Sequence, residues 1–146
     1  MAEQYYELPI RFKSLMKRNA AVSTCDLKKS IAQNIFLIIT SKYKEHRYNE
    51  SYGCALWDMD FELISNENRW LETVRKSIYN SVVKHERRLY DISVDVDITL
   101  DDTIATFSLA KSIKKRLSIS IKGMVAETGE EFSFDTNIYL SPLSID

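Results

Sequence analysis

Carboxylates are the residues of this chain whose spacing most readily suggests catalysis. Two pairs stand two positions apart, Asp95 with Asp97 and Asp58 with Asp60. Hydrolysis of a glycosidic bond typically uses two carboxyl groups roughly 5 to 10 Å apart, one of them with a raised pKa. Acids at alternate positions of a strand more often form its solvated or salt-bridged face, so the sequence selects no catalytic pair.

The histidines and glycines do not supply the missing chemistry. His46 and His85 each lie between charged neighbours, which predicts surface positions and leaves nucleophilic triads and helical metal pairs incomplete. The three glycines, Gly53, Gly123 and Gly129, are too far apart for a phosphate-binding loop. We therefore expect no enzymatic activity, no cofactor and no metal site.

The charges of the chain are balanced. It has 20 basic and 21 acidic residues and a net charge of -1, which gives no general attraction to nucleic acid or to anionic membranes. Basic residues still concentrate in two stretches: Lys13, Lys17 and Arg18, and Lys111, Lys114, Lys115 and Arg116. Stacking aromatics are not interleaved with them, so a solvated face or a protein contact is predicted and nucleic-acid binding is not.

Size and composition favour one cytoplasmic domain. A chain of 146 residues, 45% of them hydrophobic, can bury one sizeable core. Its start lacks the pattern of a signal peptide, and no apolar run approaches the roughly 20 residues of a membrane span, so no membrane insertion is expected. Cys25 and Cys54 have no neighbouring ligands and are predicted to be reduced, packed thiols.

A charged segment, Glu86-Arg87-Arg88, is the strongest candidate for a binding site. It lies where a helical pattern gives way to a strand pattern. An arginine there offers a planar fork that can bond a partner's carboxylate or its backbone carbonyls. The alternative is an intrachain salt bridge that only fixes the junction.

Two helices are predicted before this junction. The first should span about 25 to 41, with Ser23 or Thr24 as N-cap and Asp26 in the first turn. Its apolar positions recur at helical spacing: Leu27, Ile31, Ile35 and Ile38. The second should span about 66 to 84, capped by Ser65 or Asn66. Its inward positions are Trp70 or Leu71, Val74, Ile78 and Val82.

Three strands are predicted after the junction, because the apolar period changes to two. The alternations run over 92–100, about 117–125 and 132–140, and the turn 127–130 should join the last two as an antiparallel hairpin. Residues 101 to 115 fit neither period and are taken as a connector that could contain the start of a strand. Opposite charges are expected to face each other across the first two strands: Asp91, Asp95 and Asp97 against Lys114, Arg116 and Lys122.

These elements predict an α+β fold with two helices packed on a three- to four-stranded antiparallel sheet. Residues 1–22 read as an N-terminal arm and residues 23–146 as a single domain. The last strand, ending near Leu140, could accept a partner's strand at its edge unless an arm of the same chain covers it.

Two segments together resemble the tail-baseplate wedge family of contractile phages, the gene-product-twenty-five-like family, which includes the type VI secretion subunit TssE. The first segment begins with Tyr52-Gly53 and continues through an apolar and acidic stretch to Phe61. The second is Glu86-Arg87-Arg88, where the family carries Glu-Pro-Arg at the end of the helix and this chain has Arg87 in place of proline.

The resemblance implies a baseplate domain over residues 23–146 and a non-enzymatic structural role in a contractile injection apparatus. It assigns partner binding to Tyr52, Gly53, Glu86, Arg87 and Arg88. The implied partners are the proteins of the wedge's core helical bundle and the sheath subunits, within a large symmetric hetero-oligomer docked at the inner face of the cell envelope. A peptidoglycan-cleaving, lysozyme-like enzyme and a generic protein-binding module remain alternatives.

Overall fold

The computed structural model describes residues 4–17, 21–58, 66–101 and 114–140. In chain order the elements are β1 (Tyr5–Tyr6), α1 (Phe12–Leu15), β2 (Thr24–Cys25), α2 (Leu27–Thr40), a 3-10 helix (Ala55–Asp58), α3 (Glu67–His85), β3 (Leu89–Asp101), β4 (Lys114–Val125) and β5 (Glu131–Leu140). The predicted α+β class is confirmed. Most of the predicted connector lies outside the described residues.

The first long helix, α2, begins two residues later than predicted. Its N-cap is Asp26, whose side chain accepts a hydrogen bond from the Lys29 backbone N–H at 2.9 Å. Thr24, one of the two predicted caps, is instead in β2, where it pairs with Tyr6 of β1. Because Thr24 is paired in a strand, Asp26 is the next residue along the chain whose side chain can cap the helix.

The second long helix, α3, agrees with the prediction to within one residue at each end. Asn66 caps it by accepting a hydrogen bond from the Arg69 backbone N–H at 3.0 Å. Its inward side chains are those expected from the spacing: Trp70, Val74, Ile78 and Val82. They join Ile31, Ile35, Ile38 and Ile39 of α2 and the inward residues of the strands in one hydrophobic core.

The three long strands form an antiparallel sheet in the order β3-β4-β5. The hairpin predicted between the last two strands is confirmed, and Gly129 adopts the positive φ of 69° that the turn requires. Side chains alternate between the core and solvent along each strand, as with the buried Leu117, Ile119 and Ile121 of β4.

The predicted pairing of opposite charges across β3 and β4 is wrong. Asp95 lies opposite Ser120 and Asp97 opposite Ser118, while Lys122 faces Ser93. Alternation fixes which face a residue occupies, but it leaves the offset between two strands undetermined. The register of the two strands also changes between Tyr90 and Ser93, where the hydrogen-bond ladder is irregular.

The N-terminal arm pairs with the domain through a second sheet of two short antiparallel strands, β1 and β2. The loop between α2 and the 3-10 helix is attached to α3 through Ser77, whose hydroxyl oxygen accepts from the Ala55 N–H at 2.7 Å and lies 3.0 Å from the Tyr43 hydroxyl.

Both thiols are free, with Cys54 buried and Cys25 only partly buried. No helix in the described ranges is long and apolar enough to cross a membrane.

Replacing Asp26 with alanine should lower the free energy of unfolding by about 1 kcal/mol, because one N–H in the first turn of α2 loses its acceptor. Chemical denaturation followed by circular dichroism measures this change. Ser23→Ala and Thr24→Ala are the controls, and an equal loss at either position would contradict the assignment of the cap.

Candidate functional site

The predicted charged segment forms a tight junction between α3 and β3. Glu86 caps the helix, its backbone N–H donating to the Val82 carbonyl at 2.8 Å. Two residues later the Arg88 carbonyl accepts from the Ala126 N–H at 2.8 Å, beside the end of β4. The junction is therefore fixed at both ends by main-chain bonds, which holds the side chains between them in one arrangement.

The Glu86 side chain is the one charged group in the described core, with only 1% of its surface exposed. Its Oε1 accepts from the Arg88 backbone N–H at 3.1 Å and from Arg88 Nε at 2.8 Å. Its Oε2 accepts from Arg88 Nη2 at 2.6 Å and from Asn34 Nδ2 at 2.9 Å. A buried carboxylate is tolerated when its lone pairs are satisfied in this way.

Arg88 forms a bidentate pair with Glu86 and reaches two other elements. Its Nη1 donates to the Ser30 hydroxyl of α2 at 2.9 Å, and its guanidinium carbon lies 5.3 Å from the centre of the Tyr5 ring in the arm. The Arg88 side chain remains 30% exposed, compared with 2% for the side chain of Glu86. Arg88 therefore ties the junction to α2 and to β1 while part of its side chain remains exposed to solvent.

The environment favours the charged form of both partners. Burial raises the pKa of Glu86, but hydrogen bonds from Arg88 and Asn34 outweigh this effect and hold its pKa below the ordinary value. Hydrogen bonding to Glu86 raises the pKa of Arg88. A carboxyl group with a lowered pKa in an ion pair is unsuited to act as a general acid.

Tyr52 belongs to the same network, as the grouping of the two sequence segments suggested. Its hydroxyl donates to Asn34 Oδ1 at 2.8 Å. The Asn34 Nδ2 group in turn donates to the Glu86 carboxylate and, at 3.2 Å, to the His85 carbonyl. The Tyr52 ring packs edge-on against the His85 ring, with 5.2 Å between centroids. Burial, and then the Glu86 charge, raise the pKa of Tyr52.

His85 is partly buried in this network, which corrects its predicted surface position, and its Nε2 lies 3.0 Å from the Ser51 carbonyl. His46 is exposed as predicted.

Gly53 supplies a backbone conformation that other residues rarely adopt. Its φ is +119°, and a Cβ built there would lie 2.6 Å from the Ser41 carbonyl oxygen. That carbonyl accepts a hydrogen bond from the Cys54 N–H at 3.0 Å. The turn at Gly53 therefore packs directly on the end of α2, and this close approach positions the neighbouring Tyr52.

Arg87 differs from its two neighbours. It is exposed, and within the described parts of the chain it has no hydrogen bond or ion pair. The structure thus brings Tyr52, Glu86 and Arg88 together through Asn34 and leaves Arg87 pointing to no internal partner.

Sequence reasoning missed Asn34, Ser30 and Tyr5. The sequence does contain an indication of Asn34, since it is a polar residue next to the apolar stripe of α2. It contains none of Ser30 and Tyr5, because their contacts depend on tertiary folding.

The three described carboxylates among those first considered for catalysis are exposed. Asp95 and Asp97 are exposed on the outer face of β3, and Asp58 makes an ion pair with Lys42 at 3.1 Å. Asp60 lies outside the described residues. Among the described ranges there is no group of three or more potential metal ligands.

Comparisons with known proteins address the resemblance directly. Residues 25–130 match the family model described as baseplate wedge protein gp25. The matched range includes α2, α3, β3, β4 and the junction, and it excludes the arm. No curated protein sequence matches the chain significantly.

Two solved structures are similar to this chain. A Geobacter sulfurreducens protein provisionally named a tail lysozyme matches with a TM-score of 0.58 over 85% of this chain and 100% of that chain, at 22% identity. A chain of the type VI secretion system baseplate complex matches with a TM-score of 0.49 over 77% of this chain and 93% of that chain, at 14% identity. At 22% identity the first match supports the fold and not the activity.

Replacing Glu86 with glutamine should destabilise the protein by about 3 kcal/mol at neutral pH, because Arg88 loses its anionic partner inside the fold. Since the folded-state pKa of Glu86 is lowered from 4.5, its contribution is present above that value and disappears as the pH falls through the folded-state pKa. The difference in unfolding free energy between wild type and variant should therefore shrink on acidification.

Denaturant titrations at neutral and acid pH measure this difference. The matched control is Glu72→Gln, which removes an exposed glutamate that pairs with Arg75 at 2.6 Å and should have a much smaller effect. A pH-independent difference at Glu86 would show that its charge does not stabilise the fold.

Proposed function

The chain belongs to the baseplate wedge protein gp25 family, and on this premise we propose that it is a non-enzymatic structural subunit of a contractile injection apparatus. The specific role is TssE-like: it connects the wedge proteins of a type VI secretion or related apparatus to the contractile sheath. The observation that carries this proposal is the buried Glu86–Arg88 pair, which holds an arginine in a fixed position at the protein surface.

The proposed contact with the wedge's helical bundle involves Arg87 and Arg88. The Arg88 side chain is 30% exposed, and Arg87 is exposed next to it. Two adjacent arginines can bond carboxylates or terminal helix carbonyls of a partner. Rigid placement reduces the side-chain entropy that is lost on binding.

Glu86, Tyr52 and Gly53 act in this proposal by positioning. All four hydrogen bonds to the Glu86 carboxylate come from Arg88 and Asn34, so Glu86 supports the arginine and does not reach a partner itself. Tyr52 fixes Asn34, and Gly53 permits the turn that carries Tyr52. This combines the two explanations considered for the segment, an internal ion pair and a docking site.

The proposed contact with the sheath uses main-chain pairing. β5 pairs with β4 on one side, and among the described residues no strand pairs with its other side. The exposed N–H and C=O groups of such an edge can accept an extended segment of a sheath subunit. We propose a cytoplasmic location at the inner face of the envelope, in a large symmetric hetero-oligomer.

Removing Arg87 should weaken docking without affecting the fold. Arg87→Ala leaves every internal hydrogen bond in place, so its melting temperature should equal that of the wild type. Its dissociation constant for the purified wedge proteins should rise by about tenfold or more. Arg88→Lys should also weaken docking, because the planar fork is lost while the charge remains.

Arg47→Ala, a change of another exposed arginine, is the control for loss of one positive charge. Unchanged affinity of both junction variants would contradict a docking role for this site.

A cell-wall-cleaving enzyme is the second candidate, because the similar Geobacter protein carries a lysozyme name. The structural proposal predicts no release of soluble fragments when the purified protein is incubated with peptidoglycan. Hen egg-white lysozyme serves as the positive control for the substrate. Turnover that is abolished by substitution of one carboxylate, such as Asp58→Asn, would overturn the structural proposal.

A further inference from the structure

The N-terminal arm lies outside the range that matches the family model, which begins at residue 25. We propose that the arm is a second docking element, which inserts Phe12 and Met16 into an apolar groove with an acidic rim on another baseplate subunit. This inference rests on the proposed baseplate role for the identity of its partner, but its contact surface is separate from Arg87 and Arg88.

The backbone of the arm is held firmly before α1 begins. The Glu7 N–H donates to the Ser23 carbonyl at 2.9 Å, continuing the pairing of β1 with β2. The side-chain amide of Gln33 in α2 then bonds two main-chain groups of the arm, accepting from the Leu8 N–H at 2.7 Å and donating to the Tyr6 carbonyl at 3.3 Å.

Two charged contacts supplement this attachment. Arg88 lies over the Tyr5 ring, and Lys29 of α2 forms an ion pair with Glu7. The arm is therefore joined to α2 and to the junction over residues 5 to 8, and α1 follows directly from this anchored segment. A helix that starts from a fixed point loses less conformational entropy on binding than a free tail does.

α1 and the residue that follows it expose two large apolar side chains to solvent. Phe12 is 72% exposed and Met16 is 88% exposed. They are four residues apart, a spacing that places both on one side of a helical turn. Leu15 is less exposed at 45% and lines a small cleft with Leu8 and Val22. The arm thus presents two strongly exposed apolar anchors beside a leucine that partly lines a cleft, and peptides that dock a helical turn into a groove use such anchors.

The charge of the arm specifies the rim of that groove. Between Leu8 and Cys25 the sequence has four basic residues and no acidic one, although the whole chain has a net charge of -1. The four are Arg11, Lys13, Lys17 and Arg18. Lys13 and Lys17 are exposed and form no ion pair among the described residues. Two apolar anchors among uncompensated cations complement an apolar groove bordered by carboxylates.

A protein groove fits this arm better than a lipid surface. The strength with which a helix binds a membrane surface scales with the apolar area that it buries there. The helix here has one turn, Phe12–Leu15, and its orientation is set by the attachment of residues 5 to 8 to the folded domain. Two anchors on a fixed turn suit a shaped pocket, whereas two side chains bury little apolar area in a bilayer.

The test measures binding of the full-length chain to the purified wedge assembly prepared without it. The double variant Phe12→Ser, Met16→Ser should fold normally and bind about tenfold more weakly or worse. The triple variant Arg11→Glu, Lys13→Glu, Lys17→Glu should show a similar loss at low salt and a smaller one at high salt. A photo-crosslinking residue at position 12 should label an apolar segment of a wedge subunit that is flanked by acidic residues.

Matched controls separate this surface from general effects. Tyr48→Ser removes an aromatic side chain of 86% exposure outside the arm, and Lys44→Glu, Arg69→Glu, Lys122→Glu makes the same change of net charge elsewhere. Both controls should bind like the wild type. Equal losses in the charge control would show non-specific electrostatics and overturn the proposal.

Two further outcomes would also overturn it. Wild-type affinity of both arm variants would refute the arm as a docking element while leaving the baseplate role supported by wild-type binding. Binding to phosphatidylglycerol vesicles that depends on Phe12 and Met16 would assign the arm to a lipid surface. Failure of the wild-type chain itself to bind the wedge assembly would refute the baseplate role and, with it, this partner.

Discussion

The buried charge of Glu86 is the constraint on which the arrangement of the described residues depends. A carboxylate that is almost fully enclosed must find partners for both oxygens, and here Arg88 and Asn34 supply them. The two partners lie on different parts of the fold: Asn34 is in α2, and Arg88 directly precedes β3. Satisfying one side chain therefore sets how α2, α3 and the sheet meet.

This arrangement explains how one segment can serve both folding and binding. A buried ion pair is weak support for stability in general, because desolvation offsets much of the attraction. Its value here is geometric, since the pair fixes an arginine side chain that is still partly exposed. Arg87 places a second cation at the surface, in a turn that main-chain bonds hold on both sides.

The sequence predicted the helices and strands well because their signals are local. Apolar spacing and Asn66 place α3, and two-residue alternation places the strands. The start of α2 and the β3–β4 register were mispredicted because both depend on pairing between distant segments. Tyr52, Glu86 and Arg88 were found by resemblance, but Asn34, which links them, depends on the folded contact between α2 and α3.

The Gln33 amide has a consequence for how the arm can change. It bonds the Leu8 N–H and the Tyr6 carbonyl, which are groups that nearly every residue carries, and both of these side chains are exposed. Gln33 therefore recognises the path of the main chain at residues 6 to 8, and these contacts do not depend on which side chains the two residues carry. Tyr6 and Leu8 can therefore be substituted while both hydrogen bonds to Gln33 are kept, so the sequence of this short stretch can change without changing how it is attached to α2.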